Sequence, residues 1–490
     1  MTRRDALAGL SVANILLVRC WLQAGGHAYL GAGLPMTRAR IGLFTLWLML
    51  AACLAALSAW SRRGRWPLRI VAGVYATLLL VPADLLLRHA TGLSLPIATD
   101  PIGLLLLTTG LILLSLETVE RLVVRVLPIV LLPVILATLA YAASPLFARP
   151  AVANPYREPA RVVQADGARV LWLLFDELDY AMLAGEREGA PSLPAFSALL
   201  AESFVATSAG SPSIKTLSVI PSIFTGRHVL TATPTGRDLA LRFADGKGLW
   251  RDQPSPFKRV RAQGFWTGVV GWYHPYCDAL PGQFDACEWV PFRTERHQTS
   301  SLYGAVLNRA QEAAGGFSPI LRNAHDEALL TNAQLEQGRQ EHLAAWRRIS
   351  SRALALAAEQ QPGLALVHYP VPHAPGILDL VSPEEPWDGY FGNAVLADRS
   401  FAELRAQLEA AGRWDDTILV VTADHLWRTI ARRDSRVPLI VKFAGHQGPA
   451  RYEPATSLLV LHDLLPRLVN REIATPQQLA AYLSASPRPH

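Results

Sequence analysis

The sequence predicts two architectures in one chain: a multi-pass α-helical membrane domain, followed by an α/β domain with a mostly parallel central sheet. Three observations carry this. Nearly all the long apolar runs fall within residues 1–145. Beyond them, short apolar runs ending in polar residues alternate with amphipathic helical stretches. Of the 490 residues, 51% are hydrophobic and only 18% charged, too apolar a balance for an ordinary soluble enzyme.

Spans are expected near 6–30, 41–60, 67–87, 100–116 and 122–144, because about 20 mostly apolar residues are needed to cross a bilayer. The first carries Arg19 and a Gly25-Gly26-His27 interruption, and the fourth is short, so a count of four also fits. Arg3 and Arg4, then Arg62, Arg63 and Arg65, then Arg121 and Arg125 share one side if there are five spans. The positive-inside rule places that side in the cytoplasm. Arg38, Arg40 and Arg88 dilute the bias without reversing it. An odd number of spans in the cytoplasmic membrane then leaves everything after residue 145 extracytoplasmic. Arg19 is a charge inside a span, which raises transport as a reading, but it lies near the span's end, where snorkelling explains it.

Residues 146–168 are rich in Pro, Ala and Arg and read as a linker, 169–475 as the second domain, and 476–490 as a C-terminal tail. VLWLLF, from Val170, is a continuous apolar run ending in acids, as expected of a buried parallel strand. FWTGVVGW near 265–272, LALVHY at 364–369, TILVVTAD at 417–424 and VPLIVKF at 437–443 repeat the form. Helical stretches at 330–358 and 397–411 lie between them. Strands alternating with helices imply an α/β sandwich, in which ligands bind beyond the carboxyl ends of the strands.

The net charge of +6 is almost all arginine, since Lys215, Lys247, Lys258 and Lys442 are the only lysines. No basic run is interleaved with aromatics, which excludes a nucleic-acid reading. Cys20 and Cys53 lie in apolar stretches as small hydrophobes. Cys277 and Cys287 flank DALPGQFDA, and in an exported domain a disulfide is expected over two reduced thiols.

Four separated motifs place metal-type or phosphate-type ligands just past apolar runs: Asp176-Glu177, Thr216 in a Ser/Thr-rich segment, His368 and His373 in HYPVPHAP, and Asp424-His425. Each has a bland alternative. An acid pair after a strand is commonly a helix cap, and a lone Thr is commonly a turn residue. Their order and shared place at strand ends favour chemistry. Carboxylates with imidazoles suit Zn or Mn, and a hydroxyl on such an ion becomes a strong nucleophile.

In that order, the acid pair, the Thr216 segment ending in Thr225-Gly226, His368-x-x-x-x-His373-x-Pro375 and the late Asp424-His425 resemble the alkaline phosphatase/sulfatase superfamily. The membrane-anchored branch is most similar: phosphoethanolamine transferases and lipoteichoic acid synthase-like enzymes. SLPAFSALLAE at 192–202 resembles the helix after the family's first metal motif. The resemblance implies an α/β sulfatase-like (alkaline phosphatase-like) domain with a divalent metal, Zn or Mn. Glu177, Asp176, Asp424 and His425 would bind it, with Thr216 both metal-bound and nucleophilic. His373 and His368 would hold the phosphoryl oxygens or protonate the leaving group, and Lys215 could add positive charge beside the nucleophile.

The resemblance implies a phosphoryl-type transferase or hydrolase acting on membrane lipid or envelope glycan substrates at the outer membrane face, and a monomer is expected. Alternatives are a periplasmic phosphodiesterase, phosphatase or sulfatase-like hydrolase on soluble substrates, and a catalytically silent envelope protein. Sulfatases carry Cys or Ser in a C/S-x-P-S-R segment, whereas Thr216, Leu217, Ser218, Val219 and Ile220 stand here. That departure argues against sulfate-ester hydrolysis. The late motif also reads Asp-His-Leu-Trp where Asp-His-Gly-Glu is usual.

Overall fold

The computed structural model describes residues 2–17, 37–61, 63–64, 67, 156–157, 166–292, 306, 310, 332–378, 389–427, 436–445 and 448–486. The chain divides into two compact units, one of Met1–Ala28, Gly33–Ala151 and Thr294–Gln334, the other of Tyr29–Ala32, Val152–Arg293 and Leu335–His490.

In the first unit, α1 (Arg3–Leu16) packs against α2 (Thr37–Ser61). Val12, Leu43, Trp47 and Leu54 form the buried seam. Two polar groups at the seam find partners: Ser58 Oγ donates to Asp5 Oδ1 at 3.2 Å and Trp47 Nε1 to the Leu10 carbonyl at 3.3 Å. Among the described residues one helix, Ile41–Trp60, is long and apolar enough to cross a membrane. It coincides with the second expected span. The spans expected at 100–116 and 122–144, and all but one residue of that at 67–87, lie outside the described residues.

The second unit is built on a nine-stranded sheet whose strands, in spatial order, are β1 (Tyr156–Arg157), β9 (Ala286–Pro291), β8 (Trp266–Tyr273), β10 (Gly363–Pro372), β2 (Arg169–Asp176), β11 (Thr417–Ala423), β12 (Leu439–Lys442), β3 (Phe204–Ala206) and β13 (Ala450–Tyr452). A two-stranded parallel pair, β4 (Ala209–Gly210) and β14 (Thr456–Ser457), stands apart from it. Strands β9, β8, β10, β2 and β11 run parallel to one another. The middle of β2 is wholly buried, as expected of a strand with both faces covered. Trp172 Nε1 finds its acceptor in Thr422 Oγ1 of β11 at 2.8 Å, and Phe175 stacks on Tyr369 of β10 with ring centroids 4.7 Å apart.

A short helix at Tyr180–Leu183 and helices α3 (Pro194–Ala201), α4 (Thr216–Thr225), α5 (Pro256–Ala262), α6 (Tyr276–Ala279), α7 (Asn332–Ala357), α8 (Tyr390–Ala410), α9 (Leu461–Val469) and α10 (Pro476–Ala485) surround the sheet strands in the chain. Asp398 of α8 accepts from the Phe196 and Ala195 N–H groups at 2.8 and 3.3 Å, capping α3 from a distant helix.

Three features differ from the sequence reading. Strand β12 is antiparallel to β11, because an apolar run carries no information about strand direction. Its Lys442 is buried and donates to the carbonyls of Trp414, Thr417 and Phe443 at 2.6, 3.2 and 3.2 Å, so the charge is hydrogen-bonded where it is buried. Tyr156–Arg157, read as linker, pairs with Cys287 and Ala286 of β9 as an edge strand. The tail after residue 475 begins as α10, capped by Thr475 Oγ1 at the Gln478 N–H (3.3 Å) and anchored by buried Leu479 and Leu483.

A separate antiparallel sheet, β5 (Thr231–Thr235), β6 (Asp238–Phe243) and β7 (Gly246–Leu249), follows α4. It was not anticipated, although Thr235-Gly236 and Asp245-Gly246 are turn signals between alternating residues. Cys277 and Cys287 form the expected disulfide, joining α6 to β9. Cys53 is a free, exposed cysteine.

Candidate metal centre and nucleophile

Strands β10, β2 and β11 are adjacent, and the groups that leave their carboxyl ends converge. Asp176 ends β2 with Glu177 beyond it, His373 follows β10, and Asp424-His425 follows β11. The oxygens and ring nitrogens of Asp176, Glu177 and His373 lie within 4.8 Å of one another, as do those of Asp176, Asp424 and His425. Asp176, Glu177, Asp424 and His425 are buried.

Thr216 is the first residue of α4. Its hydroxyl donates to Asp424 Oδ2 at 2.7 Å and lies 3.3 Å from His425 Nε2. The position also lies in the positive end of the helix dipole, which favours negative charge. Gly226 ends α4 in the left-handed conformation, and a Cβ there would meet the His462 side chain at 2.9 Å. Glycine in the Thr225-Gly226 pair is therefore required by both backbone and space.

Glu177 is a non-glycine residue in the left-handed region, at φ 66°, a conformation costing roughly 1–2 kcal/mol. Its N–H donates to Asp424 Oδ1 at 3.0 Å, so Asp424 accepts from both the nucleophile's hydroxyl and the β2 loop. Burial would raise the Asp424 carboxyl, but His425, His368, the Glu177 N–H and the Thr216 hydroxyl outweigh it and hold it below the usual carboxylate range.

His368 lies within β10, fully buried, and burial lowers its imidazole to about 4, so it is neutral. Its Nε2 is 3.7 Å from Asp176 Oδ2 and makes no hydrogen bond. His373 Nε2 is 3.9 Å from Glu177 Oε1. Lys215 occupies the N-cap of α4 and is exposed, where solvent screens its charge. The structure thus brings together all the expected site residues except Lys215, whose side chain stays in solvent.

Two residues that the sequence reading passed over support the cluster. Buried His274 places Nε2 3.1 Å from the Thr216 carbonyl, and burial pushes its imidazole down to about 3. The Tyr276 hydroxyl sits 2.9 Å from His368 Nδ1, and burial keeps this phenol protonated. Both residues follow the carboxyl end of β8, so the strand-end rule that marked the other motifs would have found them.

The donors fit a divalent ion. Three buried carboxylates at one sheet edge are costly without a cation, and oxygens with imidazole nitrogens are the donor types Zn and Mn accept. His368 Nε2 adds a buried nitrogen that makes no hydrogen bond.

The Sulfatase family model matches residues 168–470. No curated protein matches the chain. Among solved structures, the phosphonate monoester hydrolase of Agrobacterium radiobacter is 14% identical, covering 62% of this chain and 77% of that one with a TM-score of 0.40. The PsFucS1 sulfatase from Pseudoalteromonas sp. is 18% identical, covering 63% of this chain and 69% of that one with a TM-score of 0.40.

Proposed function

This chain belongs to the sulfatase family, and from that membership we propose that it is a metal-dependent phosphoryl-type transferase or hydrolase acting through Thr216. The observation that carries the reading is the Thr216 hydroxyl, buried at a helix N-terminus and donating to Asp424 Oδ2 at 2.7 Å among the acids and imidazoles. A threonine at this position cannot be oxidised to the aldehyde that sulfate-ester hydrolysis in this family employs. Phosphoryl esters are then the favoured substrates, and a phosphodiester such as a phospholipid headgroup is the one this reading takes.

Asp176, Glu177, Thr216, Asp424 and His425 would hold the ion. When bound, Zn or Mn supplies positive charge that favours the ionised hydroxyl and offsets charge on the phosphoryl oxygens. Thr216 Oγ attacks phosphorus while its proton passes along the existing hydrogen bond toward Asp424. The bond from phosphorus to the leaving oxygen breaks, and His373 hands that oxygen a proton. An acceptor hydroxyl or water then gives its proton to His373 and attacks the phospho-threonine, breaking the phosphorus–Oγ bond, and Thr216 Oγ takes its proton back from Asp424. The α4 N-terminus stabilises the transferred oxygens.

The apolar character of residues 1–145 and the 20-residue helix Ile41–Trp60 support a multi-pass anchor in the cytoplasmic membrane with the catalytic unit outside. Anchoring raises the local concentration of lipid substrates and glycan or lipid acceptors. The test uses the full chain in detergent with phospholipid labelled in the headgroup. Turnover is expected to stop on chelation and return with Zn or Mn. Label on an acceptor identifies a transferase, and free headgroup identifies the hydrolase reading. Turnover indifferent to chelation overturns the proposal.

A further inference from the structure

We infer that Tyr390 is a positioning residue for the metal centre: its hydroxyl locks the Glu177 backbone in the turn that lets two consecutive acids face one ion. The inference rests on the metal-dependent reading above.

Consecutive residues of a strand point to opposite faces. An Asp-Glu pair at a strand end therefore cannot put both carboxylates into one site while the chain stays extended. Here Asp176 and Glu177 both offer oxygens within 4.8 Å of His373, and what makes this possible is the left-handed conformation of Glu177, φ 66°. A strained backbone persists only where its surroundings over-determine it.

Two hydrogen bonds hold the backbone on either side of the Glu177 Cα. The Glu177 N–H donates to Asp424 Oδ1 at 3.0 Å, and the Glu177 carbonyl accepts from the Tyr390 hydroxyl at 2.7 Å. The first involves a proposed metal ligand and the second does not. The Tyr390 oxygen also accepts from the Asp179 N–H at 3.2 Å, so one hydroxyl spans both sides of the turn. Tyr390 opens α8, is buried, and its phenol is held well above the usual range by burial, so it remains a donor.

The ring is held as firmly as the hydroxyl. Trp427 stacks on Tyr390 with centroids 4.2 Å apart and planes 4° from parallel. The Arg187 guanidinium lies 5.6 Å from the Trp427 ring centroid and pairs with Asp179 at 2.5 Å. Trp427 is two residues past His425, so the same strand end that supplies two ligands also seats the tyrosine that aims a third. The Asp-His-Leu-Trp departure acquires a purpose in this arrangement.

Tyr390→Phe keeps the ring and the stack and deletes only the hydroxyl. Metal-free full-length protein in detergent is titrated with Zn²⁺ against a chromogenic chelator. Outer-sphere partners of metal ligands commonly carry roughly 10–100-fold in affinity, and a weakening of that size is expected, with kcat falling more than KM. A merely structural tyrosine would lower the unfolding midpoint of the metal-free chain and leave Zn²⁺ affinity unchanged, and that result overturns the inference. Should the Phe variant fail to fold, Trp427→Phe loosens the stack with the hydroxyl in place. An intermediate loss of affinity supports the inference, and wild-type affinity overturns it. Wild-type protein that binds no Zn²⁺ removes the metal centre itself, a different failure from a wild type that binds and a variant that binds equally well.

Discussion

Replacing Thr216 by alanine and by serine separates the hydroxyl from the methyl. Thr216 Oγ1 donates to Asp424 Oδ2 at 2.7 Å, and both residues are buried. Alanine removes a hydrogen bond to a charged acceptor, worth about 1.5–3 kcal/mol. Asp424 keeps the Glu177 N–H on its other oxygen, which argues for the lower end. At ~2–4 °C per kcal/mol for a unit of this size, the unfolding midpoint should drop by only ~3–6 °C. The rate should fall far more, by ~10⁴-fold or beyond, since the nucleophile is gone while binding and electrostatic stabilisation remain. Serine keeps the hydroxyl and loses one buried methyl, about 1 kcal/mol, and should stay within ~100-fold of wild type because its hydroxyl can still reach Asp424. The assay is 4-nitrophenol release from bis(4-nitrophenyl) phosphate, beside circular-dichroism melts of each variant. Alanine turning over within about ten-fold of wild type, a barrier change of only ~1.4 kcal/mol, would refute the reasoning. So would a folded serine variant as inactive as alanine.

Removing the Cys277–Cys287 bond by Cys277→Ala opens a loop of sequence separation 10 and should cost about 3 kcal/mol. Reductant should bring wild type to the variant's melting temperature, and identical melts of oxidised wild type and variant would contradict this. Burial holds the His342 imidazole down to about 3, whereas an unfolded histidine titrates near ~6.5. Below that upper value the unfolded chain binds a proton that the fold refuses, so His342 contributes a fall in stability of ~1.4 kcal/mol per pH unit as pH drops from about 6.5 toward 3, beside those of His274 and His368. Urea unfolding across that window should show the slope, reduced in His342→Leu; an unchanged slope in the variant assigns the loss elsewhere.

The buried strands were legible because continuous apolar runs such as VLWLLF and TILVVTAD end in acids, and those ends are where the site formed. The late antiparallel strand was legible as a strand but not in direction, which Leu439–Lys442 acquires only by pairing with β11. Two-residue strands such as Tyr156–Arg157 are held by their neighbour's backbone, a tertiary effect with no local signature. In the site, ligand-type residues announced themselves through chemistry. Tyr390 and Trp427 did not, because an aromatic pair 37 residues apart reads as ordinary core until the fold stacks one ring on the other. His274 was overlooked although it follows a strand, because a lone histidine between aromatic residues looks like packing.

Intact-protein and peptide mass spectrometry of the full chain, quenched during turnover of membrane phospholipid, measures the nucleophile itself. A phosphoryl-headgroup adduct is predicted on the peptide carrying Thr216, absent from Thr216→Ala and lost when acceptor is added. Sustained turnover with no adduct there, or with the adduct on another residue, would contradict the account.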